Sequence, residues 1–287
     1  MNNTRFAFFG SSSFSVIILD ELKKAGFIPA IIITTPDKPK GRKLILTPTP
    51  VKIWAKENNI VVFDPQKLNA EFTETLRFQN CELFIVASYG KIIPKAIVEM
   101  PKYKTLNVHP SLLPRYRGAS PLQSVILADD KKTGITIMVT DADMDHGPIV
   151  ATKKINIDEW PDYQTFEDNM AHEGGALLAS ILPDWTEGKI IPNEQNHNDA
   201  TFTKKVSKED GLLSLDDSPR KKFLKIQAYS VWPQAYFFLK KNDKDIRIKI
   251  TKASYDSTNN KLIIEKVIPE GGKEMSYEDF KRGYETI

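Results

Sequence analysis

The segment Arg5-Phe6-Ala7-Phe8-Phe9-Gly10-Ser11-Ser12-Ser13-Phe14 decides the fold. An apolar run without polar alternation passes through a Gly-Ser-Ser-Ser turn into Phe14–Ala25, where apolar residues recur at helical spacing. A strand with no polar face is covered on both sides, which is the habit of parallel sheets. The pattern continues outward. Apolar runs at Ile28–Thr35, Ile60–Phe63, Leu83–Gly90 and Thr105–His109 are separated by amphipathic stretches at Val51–Asn58, Asn69–Asn80 and Pro94–Met100. Right-handed crossovers then predict a doubly wound, Rossmann-like, mostly parallel α/β sheet. Strand-like runs at Ile135–Asp141 and Ile149–Ile157, and a helical pattern over 162–182, extend it.

Organisation changes after Gly188. The stretch 190–206 contains Pro192, is rich in Asn and lacks periodicity, so it reads as a linker between domains at 1–189 and 207–287. Ser218-Pro219 has the form of a helix start, with Ser as cap and Pro in the first turn. Strand patterns follow at Ala235–Leu239, Ile246–Ala253 and Lys261–Val267, so the second unit is small and mainly β. The charge excess lies there: 1–206 holds 24 basic and 24 acidic residues, whereas 207–287 holds 16 and 13. That excess weakly favours a polyanion partner and fits a solvated surface equally well.

With 41% hydrophobic residues the chain can bury a sizeable core. No apolar run approaches the roughly 18 residues that would read as a membrane span, so no membrane association is expected. Met1-Asn2-Asn3-Thr4-Arg5 lacks the parts of a signal peptide, and the single Cys81 cannot form an internal disulfide. A cytoplasmic monomer is expected.

In an open α/β sheet, ligands bind beyond the carboxyl ends of the strands. The run Asn107-Val108-His109-Pro110-Ser111-Leu112-Leu113-Pro114-Arg115-Tyr116-Arg117-Gly118 leaves such an end. Asn107 and His109 share one strand face, and Pro110 holds His109 extended. The loop Asp141-Ala142-Asp143-Met144-Asp145-His146-Gly147 follows the next strand and can bring a carboxylate to His109. An amide donor, an imidazole and an orienting carboxylate would together handle protons and a developing oxyanion. Spacing alone leaves this reading level with one in which both residues are ordinary satisfied polar groups.

Other chemistries fit worse. The histidines at 109, 146, 172 and 197 have no metal-ligand spacing, and one cysteine makes no cluster, so no metal is expected. Ser111 and Ser120 lack a Gly-x-Ser-x-Gly setting, and Cys81 reads as a small core residue. The turn Gly10–Ser13 is not Gly-x-Gly-x-x-Gly, which disfavours a dinucleotide; it could hold an anion or simply cap a helix. The stretch 34–50 is long for an α/β connection and carries Lys38, Lys40, Arg42 and Lys43, which suits phosphate contacts or a solvated surface.

The Asn-Val-His-Pro-Ser-Leu-Leu-Pro-Arg-Tyr-Arg-Gly run and the later Asp-x-x-x-Asp-x-Gly loop resemble the signature of the 10-formyltetrahydrofolate-dependent formyltransferases. The Pro-Asp-Lys-Pro loop, Ala200–Lys205 and Gly271–Ser276 resemble the branch whose acceptor is methionyl-tRNA. The resemblance implies formyl transfer from 10-formyltetrahydrofolate to the amine of initiator methionyl-tRNA. It implies Asn107, His109 and Asp145 as catalytic residues. Ser111, Leu112, Leu113, Pro114, Tyr89, Gly90, Ile92 and Asp143 would be the folate surface, with backbone groups of 89–93 lining a pterin pocket. Lys38, Lys40, Arg42 and Lys43 would meet tRNA, and an OB-like C-terminal domain would add a nucleic-acid face. Rival readings are transfer to a sugar nucleotide or another small amine, hydrolysis of the folate, and a catalytically silent RNA-binding module. The carboxylate loop departs from the family's Asp-x-Gly-Leu-Asp-Thr-Gly at Asp143 and His146, and Lys43-Leu44-Ile45 stands where Gly-Lys-Lys is usual.

Overall fold

The computed structural model of the chain describes residues 4–41, 44–214, 216–241 and 243–284. The elements begin with β1 (Phe6–Gly10), α1 (Ser13–Lys24), β2 (Ile31–Ile33), β3 (Lys38–Lys40), β4 (Ile45–Thr47), α2 (Pro50–Glu57) and β5 (Val61–Phe63). Next come α3 (Ala70–Phe78), β6 (Leu83–Ala87), α4 (Lys95–Val98), β7 (Thr105–His109), β8 (Arg117–Gly118) and α5 (Pro121–Leu127). Then follow β9 (Lys132–Val139), β10 (Ile149–Asn156), α6 (Tyr163–Thr186), β11 (Phe202–Thr203) and α7 (Pro219–Ala228). The last are β12 (Tyr236–Lys241), β13 (Lys244–Asp256), β14 (Lys261–Pro269), β15 (Met275–Ser276) and α8 (Tyr277–Tyr284).

The chain divides into two compact units. One comprises the described residues up to Arg117 with Thr133–Ile155 and Glu167–Phe202; the other comprises Gly118–Lys132, Asn156–Phe166 and the described residues from Thr203 on.

The first unit is built on a seven-stranded sheet of order β10-β9-β7-β6-β1-β2-β5. The central strands are parallel, as their apolar faces require, and β9 runs antiparallel to β7. The sheet is therefore mostly parallel and Rossmann-like. Phe9 packs on Phe84 at 5.4 Å and meets Tyr89 edge-on at 5.5 Å in a cluster with Ile31, Ile33, Phe72 and Leu76. Cys81 packs against this cluster, and burial pushes its thiol pKa up, which opposes a nucleophilic role. Gly174 lets α6 approach β7, because a side chain there would strike Val108.

The turn after β1 is built as a helix cap. Ser12 and Ser15 form a capping box, and the amides of Ser11 and Ser12 both donate to Ser15 Oγ. The amide of Ser15 in turn donates to Ser12 Oγ at 3.4 Å, the reciprocal pairing of a helix cap.

The stretch 34–50 holds a short hairpin, β3 against β4, where the sequence gives only a long loop. Strands of three residues carry too few positions to show a period, and Pro39 hides the first. Lys52 on α2 anchors the hairpin's approach through Asp37 at 2.8 Å and Asp64 at 2.6 Å.

In the second unit, α7 starts at Ser218, whose side chain accepts from Lys221 N. It packs on β13 and β14 over Ile226, Ile248, Ile250, Val267 and Phe280. Strands β12 to β15 form a four-stranded antiparallel sheet in chain order, the C-terminal β unit the sequence implies. Asp129 knits this unit together: Arg220 forks onto it at 2.9 and 2.6 Å, and Trp160 Nε1 donates at 3.0 Å. The guanidinium of Arg220 holds that carboxyl below its ordinary pKa.

Candidate active site

Strand β7 presents Asn107 and His109 on one face, as its period requires. His109 is 4% exposed. The carboxylate reaches them by a route the sequence hides. Because β9 is antiparallel, Val139 lies opposite Leu106, toward the amino end of β7. The loop after it therefore doubles back. Val139 N donates to Pro148 O at 2.9 Å, and Gly147 fits only because any side chain there would strike the Val139 carbonyl.

Asp145 sits at the top of this fold-back in the left-handed region, φ 51°. Asn107 Nδ2 donates to its Oδ1 at 3.4 Å, and His109 Nδ1 lies 3.6 Å from the same oxygen. Nε2 of His109 faces the Tyr116 carbonyl at 3.0 Å. A carbonyl oxygen only accepts, so the hydrogen of this contact sits on Nε2. The long His109–Asp145 separation is the kind that tightens when substrate arrives.

The remaining candidates divide. Ser111 is fully buried; its Oγ donates to Arg115 O at 2.8 Å and its carbonyl accepts from Thr136 Oγ1 at 2.7 Å. Leu113 is buried, with its amide on Thr136 Oγ1, while Leu112 and Pro114 are partly exposed. Ser111 and Leu113 thus hold the turn in shape, and Leu112 and Pro114 are the more accessible side chains of these four. Tyr89 turns its ring into the core, and its carbonyl accepts from Ser11 Oγ at 3.0 Å. Gly90 has φ 80° with open space where a side chain would be, and Ile92 is 89% exposed. The left-handed residue of the carboxylate loop is Asp145, not Asp143, whose amide donates to Asp141 Oδ1. Lys38 is exposed on β3; Lys40 lies on the same strand; Arg42 and Lys43 lie outside the described residues.

The sequence reading missed three residues. Arg117, Gln195 and His197 crowd behind the carboxylate loop, and His197 stacks on His146 at 4.0 Å. No group that could hold a metal ion occurs among the described residues. No helix among them is long and apolar enough to cross a membrane.

Residues 4–182 match the formyl transferase family model. The chain belongs to the formyl transferase family. It is 38% identical to a methionyl-tRNA formyltransferase of Sulfurihydrogenibium sp., over 89% of this chain and 83% of that one. It is 36% identical to the methionyl-tRNA formyltransferase of Dictyoglomus turgidum, over 98% and 96%. Among solved structures, the methionyl-tRNA formyltransferase of Clostridium thermocellum superposes with a TM-score of 0.60 at 20% identity, covering 95% of this chain and 99% of that one. The Helicobacter canadensis N-formyltransferase, solved with folinic acid and dTDP-3-aminofucose, gives 0.65 at 17%, covering 88% of each. These structures share the fold of the family.

Proposed function

We propose that this formyl transferase moves the formyl group of 10-formyltetrahydrofolate to the amine of initiator methionyl-tRNA, as a cytoplasmic monomer. The observation that carries the reaction is the convergence of Asn107, His109 and Asp145 at β7. The choice of acceptor is supported by similarity to methionyl-tRNA formyltransferases over 98% of the chain, second unit included. The basic hairpin of β3 and β4 and the C-terminal β unit, rich in lysine, would supply phosphate contacts. A sugar-nucleotide acceptor would need neither.

The residues present suit a reduced folate. Ile92 after β6 and Met144 beside Asp145 are exposed apolar side chains, each of a kind that a fused heteroaromatic ring can cover. Backbone groups of 89–93 supply polar contacts. When bound, the folate supplies the formyl carbon that the amine attacks and a nitrogen that takes up the amine's proton. Asn107 donates one N–H toward Asp145 and carries a second for the negative charge growing on the formyl oxygen. The amine's proton passes to that folate nitrogen directly or through water, with His109, held between Tyr116 and Asp145, as the neighbouring proton-handling group.

The test is transfer of labelled formyl to initiator methionyl-tRNA, with small amines as competitors. Removing one oxyanion donor costs about 100- to 1000-fold in kcat, so Asn107→Ala should lose that much, and Asp145→Ala should also fall steeply. Undiminished transfer in both variants sinks the catalytic reading. Preferential formylation of a small amine sinks the tRNA reading.

A further inference from the structure

Gln195 is 5% exposed and lies in the Asn-rich segment after α6, outside every role described above. That segment is tied to the sheet of its unit: Ile149 and Asn193 exchange backbone hydrogen bonds of 2.7 and 2.8 Å. From there the Gln195 side chain reaches behind the carboxylate loop. Its Nε2 donates to the carbonyl of Asp145 at 3.0 Å and to the carbonyl of Gly147 at 2.7 Å. Its Oε1 accepts from Arg117 Nε at 3.2 Å and Nη2 at 2.6 Å. Two donors and two acceptor sites are thus all engaged.

Arg117 settles which way this amide faces. A guanidinium only donates, so the oxygen of Gln195 must turn toward it and the nitrogen toward the loop. Arg117 is itself fixed. It is 3% exposed, its Nη2 also approaches His197 Nδ1 at 2.9 Å, and its amide donates to Thr201 O at 2.9 Å. The two carbonyls that Gln195 holds belong to the left-handed residue Asp145 and to Gly147, two positions on. A non-glycine residue in that region persists only where its surroundings hold it.

We propose that Gln195 is a positioning residue for Asp145, with Arg117 orienting its amide, so that the Asp145 carboxylate is presented to Asn107 and His109. This rests on Asp145 being a member of the reacting trio. Gln195 touches no reacting atom and acts only by holding the loop backbone.

The experiment is a double-mutant cycle read as labelled formyl transfer. Gln195→Met keeps the volume and loses both donors. Gln195→Glu keeps the contact with Arg117 and sets oxygens against the two carbonyls, so it serves if the Met variant folds poorly. A displacement of about an ångström at a reacting group costs up to about 100-fold in rate. Each variant should therefore lower kcat about 10- to 100-fold with the KM for the folate unchanged. In an Asp145→Ala background neither should lower it further, because the carboxylate they misplace is gone. Wild-type kcat in both variants overturns the proposal. So does an equal loss in the Asp145→Ala background, which would mark a general structural role. An Asp145→Ala enzyme with full activity overturns the trio itself and the proposal with it.

Discussion

The carbonyl oxygen of Tyr116 lies 3.0 Å from Nε2 of His109, and Tyr116 holds it there with φ at 63°. The imidazole is oriented by a backbone group whose direction depends on an unusual dihedral, not by a second side chain. The strand end and the segment that follows it therefore act as one piece.

This relationship makes a backbone prediction. Tyr116→Pro forces φ near −65°, which swings the carbonyl away from His109. It also removes the amide that donates to Thr201 Oγ1 at 2.8 Å. Its kcat should fall at least about 10-fold, in the range that general acid–base contributions span. Tyr116→Gly keeps the positive φ at no steric cost and should leave kcat close to that of the native chain. Thr201→Val removes only the acceptor of that amide, so its kcat should also hold. A Tyr116→Pro enzyme with native kcat would show that the carbonyl is irrelevant.

Gly147 is the second point where backbone geometry governs the site. A methyl group there meets the Val139 carbonyl, so Gly147→Ala must push the fold-back off β9 and carry Asp145 with it. We expect Gly147→Ala to lower kcat about 100-fold, the cost of misplacing a reacting group. Thermal unfolding should stay cooperative, since the core strands are untouched. Native kcat in this variant would contradict the fold-back as the device that delivers Asp145.

Much of this architecture was legible in the sequence. The unbroken apolar runs fixed the parallel strands, and Asn107 and His109 fell on one face by the strand period alone. What stayed hidden depended on contacts between distant segments. The antiparallel β9 reverses the direction from which Asp145 approaches, and nothing local in Lys132–Val139 signals direction. Gln195 was unreadable for a related reason. It lies in an aperiodic Asn-rich stretch, and its partners Asp145 and Arg117 are 50 and 78 positions away. The direction of the Tyr89 ring was also hidden: a strand-end position does not reveal that it completes the core.

Lys52 offers a test of the basic hairpin. It bridges Asp37, at the approach to β3, and Asp64, after β5, and Asp37 in particular raises the lysine's pKa. Lys52→Met leaves two carboxylates facing each other and frees the hairpin's base. A partly exposed network of this kind is worth about 1 kcal/mol. The KM for methionyl-tRNA should therefore rise about fivefold, while the KM for the folate stays put. A rise in the folate KM instead would move the hairpin's role to the donor.

Tyr89 carries a prediction about alkaline stability. Its hydroxyl is buried without a hydrogen-bond partner, and burial pushes its pKa up to about 12. The unfolded chain ionises this phenol near its ordinary value of about 10. The folded state therefore binds the proton more tightly, and its stability holds below about pH 10. It falls as pH rises from there toward 12, because the unfolded state gives up the proton first. Tyr229, whose pKa burial also raises to about 12, adds to the same window. Tyr89→Phe removes one of the groups that titrate in this window and an unsatisfied buried oxygen together. At neutral pH it should gain about 1 kcal/mol of stability from the second effect. Between pH 10 and 12 its urea midpoint should decline less steeply than that of the native chain, the remainder following Tyr229 and lysines such as Lys52 whose pKa is raised. A Phe variant that is less stable at pH 7 would mean that the hydroxyl has a partner in solution, and parallel declines at high pH would mean that Tyr89 ionises as freely folded as unfolded.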